Sequence, residues 1–304
     1  MKDLALEWGY RSAWRLVRML PGRVAYRAFR VGADRAARKR GAGVERLAEN
    51  LRVVVGEAMP ADEFDTLIRD AMRSYARYWC DAFRASGRSL EQHLAAFRLV
   101  NDPALSESHA RGKGVVLALP HAGNWDAAGA WVVARGMPLT TVAERLKPEA
   151  VYERFLAFRR GLGMEILPLT GGDRPVIDAL DESLREGKVV ALLADRDFSK
   201  GGVPVIFFGR KTRMPAGPAI LALRTGAPLH TVDMWYEPDG PAARLSEPIM
   251  RPDTAGSMAE RVAIMTQAMA DSFEAGIRAH PADWHMLARM FVAERARPAE
   301  RVEA

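Results

Sequence analysis

From residue 115 onward, short apolar segments alternate with amphipathic ones, and this alternation restricts the possible folds more than any other feature of the chain. The segments with β-strand character span residues 115–120, 139–143, 165–169, 189–194, 203–208, 228–235 and 244–249. The helical candidates between and after them span residues 124–135, 148–161, 174–186, 215–225 and 258–280. Alternating strands and helices are typical of an α/β fold. We therefore predict a central, mostly parallel sheet flanked by helices.

The chain before residue 115 shows helical patterns instead. Apolar residues recur at helical spacing over residues 6–20 and again over residues 25–36, with arginines beside both stripes. Residues 44–55 and 61–86 show the same periodicity. The sequence therefore predicts an N-terminal layer of amphipathic helices.

Nothing in the sequence divides the chain into separate units. We find no internal repeat, low-complexity segment or long linker. We expect a single domain over residues 1–304, in which residues 1–55 form basic amphipathic helices and residues 110–290 form the α/β core.

The positive charge is concentrated near the N-terminus. Residues 1–50 contain 12 basic and 5 acidic residues, whereas the formal net charge of the whole chain is +6. Arg accounts for 37 of the 44 basic residues, and its guanidinium binds phosphate groups in a bidentate manner. Basic helices with aromatic residues near their apolar face are typical of a membrane interface. We expect contact with an anionic membrane surface, or else a solvated basic face on helices that pack on the core.

Several other partners are disfavoured. No apolar run approaches the ~18–20 residues of a transmembrane helix, and the first residues lack the pattern of a secretory signal. The basic residues are not accompanied by a motif typical of nucleic-acid binding. The single cysteine, Cys80, has no partner for a disulfide or a CxxC site, which favours a buried thiol. We expect a peripheral protein that does not bind nucleic acid.

The sequence lacks the GxSxG, GxxxxGK[ST], GxGxxG and HExxH motifs. His121 directly follows the predicted strand 115–120, and Asp126 falls in the first turn of the next predicted helix. Ligands bind at the carboxyl ends of strands in open α/β sheets. A carboxylate that holds one ring nitrogen of a histidine leaves the other as a general base. The alternative is that His121 ends the strand and Asp126 favours the helix N-terminus.

The segment His121-Ala-Gly-Asn-Trp-Asp126 resembles the His-x4-Asp box of glycerolipid acyltransferases. It is most similar to the bacterial branch that comprises lipid A lauroyl acyltransferases and phosphatidylinositol mannoside acyltransferases. The resemblance covers roughly residues 5–290 and continues through blocks at residues 141–148, 167–172, 194–197, 207–209, 212–218 and 281–287. The blocks VAERLKP and TRMPAGPA look most like the mannoside branch.

The resemblance implies direct transfer of a palmitoyl group from acyl-CoA to a mannose hydroxyl of a phosphatidylinositol mannoside. His121 would take the proton of the attacking hydroxyl, and Asp126 would hold the imidazole. No cofactor is implied beyond acyl-CoA as co-substrate. The implied location is the cytoplasmic face of the plasma membrane. Another lipid acceptor, such as lysophosphatidate or a lipid A precursor, and an inert lipid-binding scaffold are the alternatives.

The resemblance also assigns roles outside the box. Asp195 follows the predicted strand 189–194 and is therefore expected at the same sheet edge as His121. The family has an acid here, more usually glutamate in the mannoside branch, which would orient acceptor hydroxyls or complete the catalytic network. The alternative is an acid that only favours a turn or a helix N-terminus. Glu144 and Arg159 align with polar site residues, and Arg159 would grip a phosphate or order the thioester end of the donor. Surface ion pairing is the alternative for both.

Three more residues complete the expected donor and glycolipid contacts. Gly201 would offer backbone N–H groups to the donor, Arg224 would contact the donor, and His285 matches a site histidine. Each could instead be a surface or structural residue. We expect no metal, because the candidate residues lack the short local spacing of zinc sites.

The acyl chain requires a long apolar groove. The candidates for its lining are Trp125, Phe155, Phe158, Ile206, Phe207 and Met214.

Overall fold

The computed structural model describes residues 17–85, 87–144, 149–171, 174–197, 201–252 and 256–291. The helices are α1 (Gly22–Lys39), α2 (Ala42–Val55), α3 (Ala61–Ala85), α4 (Leu90–Ala95), α5 (Asp102–Ala110), α6 (Trp125–Ala134), α7 (Glu149–Gly161), α8 (Val176–Arg185), α9 (Gly217–Thr225) and α10 (Met258–Ala279), followed by a 3-10 turn at Pro281–Asp283. The strands are β1 (Arg98–Val100), β2 (Val115–Leu119), β3 (Leu139–Ala143), β4 (Glu165–Pro168), β5 (Val189–Leu193), β6 (Val203–Phe207), β7 (Arg210–Met214), β8 (Leu229–Tyr236) and β9 (Pro241–Leu245).

Seven of these strands form one sheet, in the order β1-β9-β8-β2-β5-β3-β4. The pair β8–β9 is antiparallel, and the other pairs are parallel. Strands β6 and β7 form a separate antiparallel hairpin. The predicted α/β fold with a mostly parallel sheet is confirmed.

Strand β2 lies inside the sheet between β8 and β5, and all five of its residues are buried. Val116 and Ala118 belong to the hydrophobic cluster that includes residues of α9 and α10. Leu117 and Leu119 belong to the cluster on the other face, which includes residues of α6. A strand covered on both faces is apolar at every position, and this explains why the segment reads as an unbroken apolar run.

The N-terminal helical layer is present. Ala25 and Ala33 of α1 are buried, and the rings of Phe29 in α1 and Phe83 in α3 lie 6.0 Å apart. The second predicted stripe therefore packs against α3. Most of the first stripe, over residues 6–20, lies outside the described residues. None of the described helices is long and apolar enough to cross a membrane.

The sequence prediction missed or misplaced several elements. It contains nothing for β1, α4 and α5, and it misses β7, whose Arg-Lys-Thr-Arg segment has no apolar alternation. The predicted strand 203–208 lies in the β6–β7 hairpin and not in the parallel sheet. Strand β9 begins at Pro241 and not at residue 244, because its antiparallel register with β8 fixes its position.

Candidate active site

His121 and Asp195 each follow a strand of the sheet, and the two strands are neighbours. Strands β2 and β5 pair in parallel with Leu119 opposite Leu193. The Ala194 N–H extends this ladder by donating to the Leu119 carbonyl at 2.8 Å. Because His121 and Asp195 have the same offset from a paired position, the two strands deliver them to one point at the carboxyl edge of the sheet.

The imidazole of His121 and the carboxylate of Asp195 are in direct contact. Nδ1 of His121 lies 2.5 Å from Oδ1 of Asp195, and the His121 backbone N–H donates to Oδ2 at 2.9 Å. The Asp195 side chain is fully buried, whereas 20% of the His121 side chain is exposed. When Nδ1–H donates to the carboxylate, neutral His121 carries its lone pair on Nε2. Nε2 is therefore the ring nitrogen that can accept a proton from a substrate.

The surroundings of Asp195 keep it ionised. Burial alone would raise the pKa of the carboxyl, but the positive charge and hydrogen bonds of His121 and a hydrogen bond from Trp284 lower the pKa overall. The indole Nε1–H of Trp284 donates to Oδ2 at 2.9 Å. An ionised carboxylate in this position can stabilise the imidazolium that forms when His121 takes up a proton.

Asp126 has different partners, and this corrects the expected pairing of His121 with Asp126. In the part of the chain that the structure describes, the His121 ring binds Asp195. Asp126 instead accepts from Arg159 Nε at 2.7 Å and from the Tyr78 hydroxyl at 2.8 Å. Asp126 lies in the first turn of α6 and is directed toward α3 and α7. The carboxylate that reaches the imidazole comes instead from β5, the strand that pairs with β2.

The contact between Arg159 and Asp126 is a buried ion pair and not the surface pair that was the alternative. The side chain of Asp126 is 3% exposed and that of Arg159 is 18% exposed. Burial disfavours the charge of Arg159, but the negative charge of Asp126 and its hydrogen bond with the guanidinium raise the pKa of Arg159. Burial, together with Asp126, raises the pKa of Tyr78 well above its ordinary value, so its hydroxyl stays protonated. The guanidinium of Arg159 is thus engaged by a carboxylate.

A segment distant in sequence braces the His121 loop. Ala122 forms a β-bridge with Trp284, and the His285 backbone N–H donates to the His121 carbonyl at 2.7 Å. The sequence analysis did not single out Trp284, although it lies in the recognised block at residues 281–287. An indole does not titrate, so a search for acids and bases passes over it.

The imidazole of His285 lies in a structural network. Its Nε2 is 2.9 Å from the Ser74 hydroxyl, which donates to the Asp283 carboxylate at 2.5 Å. The Ser74 oxygen therefore accepts the Nε2 proton of His285. Burial, with a smaller effect of nearby His121, lowers the pKa of His285 to about 3. His285 is thus neutral and adjoins the site through its backbone, and neither Ser74 nor Tyr78 was predicted from the sequence.

An apolar cavity lies next to the dyad on the α6 face of the sheet. Alternate residues of the two central strands line it, namely Leu117, Leu119, Ala191 and Leu193. Trp125, Asp126 and Arg159 also line it. The ring of Trp125 is 6.0 Å from the ring of His121, so the cavity extends to the immediate surroundings of the dyad.

The expected lining residues are distributed differently from the prediction. Trp125 lines the cavity, and Phe155 and Phe158 are buried in the hydrophobic cluster around it. Phe207 and Met214 are buried in the cluster on the other face of the sheet, while Ile206 of the hairpin is 45% exposed. The last three therefore do not contribute to this cavity, because β6 and β7 lie outside the main sheet.

Two of the remaining predicted residues are exposed. Glu144 follows β3 at the carboxyl edge of the sheet, the edge that carries His121 and Asp195. Gly201 lies in the turn before β6.

The structure does not bring Arg224 to the dyad, which corrects its expected role as a donor contact. Arg224 lies on α9 and forms an ion pair with Asp181 of α8 at 2.8 Å. It precedes Leu229, which pairs with Val116 near the amino end of β2. Since His121 follows the other end of β2, Arg224 lies toward the opposite edge of the sheet.

The α/β fold thus brings together a histidine–carboxylate pair and an adjoining apolar cavity. A comparison with protein families assigns the reaction class: the family of bacterial lipid A biosynthesis acyltransferases matches residues 1–292. The chain belongs to this family and is an acyltransferase.

Two relatives are similar over nearly the whole chain. A phosphatidylinositol mannoside acyltransferase of Mycolicibacterium smegmatis is 47% identical over 286 residues, which cover 94% of this chain and 91% of the relative. A phosphatidylinositol mannoside acyltransferase of Mycobacterium tuberculosis is 45% identical over 294 residues, which cover 95% of this chain and 90% of the relative.

Proposed function

We propose that this protein is a membrane-associated acyltransferase that moves a palmitoyl group from acyl-CoA to a mannose hydroxyl of phosphatidylinositol mannosides. The observation that carries the proposal is the contact between His121 and buried Asp195 beside an apolar cavity. The acceptor follows from the two relatives, whose names specify phosphatidylinositol mannoside.

In the proposed reaction His121 is the general base. Its Nε2 takes the proton of the sugar hydroxyl as that oxygen attacks the thioester carbonyl, and Asp195 stabilises the resulting imidazolium. Collapse of the tetrahedral intermediate breaks the carbon–sulfur bond, and the imidazolium returns its proton to the departing thiolate. The acyl group passes directly to the acceptor, so no covalent acyl-enzyme forms. A base in this position typically contributes about 10²–10⁴ in rate.

The acyl chain would occupy the apolar cavity. Leu117, Leu119 and Leu193 line it with aliphatic surface, and burial of a methylene contributes about 0.8 kcal/mol. Leu119 and Leu193 are the lining residues closest in sequence to the dyad, so the thioester end of the chain would lie at their end of the cavity.

Helix α1 would contact the membrane. Its outer side exposes Val24 and Val31, which are 50% and 40% exposed, next to Arg23, Arg27 and Arg30. Apolar side chains flanked by arginines favour binding at the surface of an anionic bilayer. We place this contact on the cytoplasmic face of the plasma membrane, where acyl-CoA is available.

The test is transfer of labelled palmitate from palmitoyl-CoA to purified phosphatidylinositol mannoside, with lysophosphatidate as a competing acceptor. We expect labelled mannoside with the wild type and almost none with His121→Asn. The asparagine amide can still donate to Asp195, which keeps the buried carboxylate paired while removing the base. Label found in the competing acceptor alone would reject the mannoside acceptor. Lipid binding without any acyl transfer would reject the enzymatic proposal and favour the alternative, an inert lipid-binding scaffold.

A further inference from the structure

The Asp195 carboxylate accepts from donors on two different segments. His121 supplies its imidazole Nδ1–H to Oδ1 and its backbone N–H to Oδ2. Trp284 supplies the third donor, its indole N–H, to Oδ2. The first two donors belong to the residue that Asp195 is to orient, so Trp284 is the one donor among them that holds the carboxylate independently of His121.

We propose that Trp284 is a positioning residue, which fixes the Asp195 carboxylate so that Oδ1 faces Nδ1 of His121 throughout the catalytic cycle. The expected effect on kcat rests on the proposed function. The contacts among Trp284, Asp195 and His121 do not depend on which acceptor is acylated.

The side chain of Trp284 is itself held rigidly. It is fully buried, and its ring lies 6.1 Å from that of Phe207 and 6.2 Å from that of Phe208. Its backbone forms the β-bridge with Ala122, one residue after His121. One residue therefore contacts the two halves of the dyad, the loop of His121 through its backbone and the carboxylate of Asp195 through its side chain.

The requirement for such a donor follows from burial. A carboxylate shielded from water is kept charged by the hydrogen bonds that it accepts. Without Trp284, each oxygen of Asp195 keeps one donor among the described residues, and both donors belong to His121. No other described segment then opposes rotation or protonation of the carboxylate. A rotated or protonated Asp195 no longer selects the tautomer with the lone pair on Nε2.

The test replaces the indole by a ring without N–H, as Trp284→Phe, which retains aromatic contact with Phe207 and Phe208. We expect kcat to fall by about tenfold to a hundredfold, the range for loss of one hydrogen bond to a charged group, with little change in KM. The acidic limb of the pH–rate profile should move to higher pH, because the unsupported dyad takes up a proton more readily. Mere loss of stability would not move that limb.

The second readout is the proton NMR spectrum. The Nδ1 proton of His121 lies in a short hydrogen bond and is expected downfield of ordinary imidazole protons. In Trp284→Phe this resonance should shift or broaden. An unchanged resonance together with kcat within about twofold of the wild type would overturn the proposal.

A matched control removes an indole elsewhere. Trp235 is also buried and stacks on His280, with ring centroids 4.6 Å apart, so Trp235→Phe should leave the downfield resonance and the pH profile in place. If Trp284→Phe does not fold, Asp195→Asn gives the reciprocal readout. The Trp284 indole proton should move upfield when its acceptor loses its charge, and an unmoved indole proton would refute the contact.

The two proposals fail separately. If the wild type acylates no mannoside, the proposed function is rejected, while the NMR readout still decides the role of Trp284. If the wild type is active and Trp284→Phe matches it in every readout, the role of Trp284 is rejected alone.

Discussion

Leu119 of β2 lies directly opposite Leu193 of β5, and this register decides which carboxylate meets His121. A slip of one residue would turn the Asp195 side chain to the other face of the sheet. The dyad thus depends on pairing between strands that are distant in sequence. The local turn from His121 to Asp126 does not create it.

The first prediction separates the two acids near His121. Asp195→Asn should lower kcat about 10²–10⁴-fold, because an amide no longer favours the productive tautomer. Asp126→Asn should act mainly on stability. It leaves the buried charge of Arg159 without its carboxylate, and breaking a buried pair costs about 3–5 kcal/mol in the free energy of unfolding.

Steady-state kinetics and urea unfolding of both variants check this prediction. If kcat, corrected for the fraction of folded protein, falls more in Asp126→Asn than in Asp195→Asn, Asp126 is the acid that orients the imidazole.

The second prediction concerns the base. His121→Asn should lower kcat about 10²–10⁴-fold with a Tm close to that of the wild type, because the buried carboxylate keeps a donor. The control is His280→Ala, which removes a histidine that stacks on Trp235. Equal rates for the control and His121→Asn would show that the imidazole is not the base.

The third prediction is a pH dependence of stability. The pKa of His285 is about 3 in the folded protein and about 6.5 in an unfolded chain, so below pH 6.5 the unfolded state binds the additional proton. The free energy of unfolding should therefore fall as the pH decreases from about 6.5 toward 3. Within that window the unfolded state binds up to one proton more than the folded state at this residue, which sets the contribution of His285 to the slope of the decrease.

His285→Gln should remove that contribution while its amide keeps a donor for Ser74. The check is urea unfolding of both proteins between pH 7 and pH 4, a range chosen to span much of the window that His285 controls. Parallel stability curves for wild type and variant would show that His285 does not titrate as expected.

The fourth prediction uses the cavity. Gly129 of α6 and Met164 both line it, and a Cβ at Gly129 would lie 2.5 Å from the Met164 methyl carbon. Gly129→Leu should place its side chain where a long acyl chain would lie and shift donor preference toward shorter acyl-CoA. The check is kcat/KM for palmitoyl-CoA against octanoyl-CoA.

The matched control is Gly161→Leu, an exposed position on α7 where a Cβ meets nothing within 4 Å. Both variants add the same side chain to a helix. An unchanged chain-length preference in a folded, active Gly129→Leu would argue that the acyl chain binds elsewhere.

The fifth prediction addresses the membrane surface. Reversing the charge of exposed Arg27 and Arg30 on α1 to Glu should reduce co-sedimentation with anionic vesicles and weaken its dependence on salt. The control makes the same charge change at exposed Arg111 and Arg160, away from α1. If wild-type binding is equal on neutral and anionic vesicles, electrostatic contact through α1 is excluded.

Sequence patterns predicted those parts of the fold that are encoded locally. The run at residues 115–119 is apolar because β2 is covered on both faces, and the stripe of α1 is periodic because one side packs on α3. Strand β7 escaped prediction because it is exposed at most positions and is held by pairing with β6. Pairing between two strands is not visible in the hydrophobic pattern of about ten consecutive residues, from which a strand is predicted.

At the site, too, locally encoded features were predictable and long-range contacts were not. His121 was recognisable because a strand, a turn and a helix follow one another around residues 121–126. The partner of its imidazole was not, since the choice between Asp126 and Asp195 is made by sheet order and register. Trp284 donates a hydrogen bond to Asp195 from an otherwise apolar ring. Neither its charge nor the hydrophobic periodicity of the sequence distinguishes it from a core residue.

The bracing of the His121 loop by Trp284 and His285 has a consequence for the order in which the site is assembled. Residue 284 follows Asp195 by 89 positions, and Asp283 follows its partner Ser74 by 209. During synthesis, the sheet strands that carry the dyad emerge well before the segment that secures them. With the proposed role of Trp284, the Asp195 carboxylate is fixed only after α10 has been made and Trp284 has docked beside it.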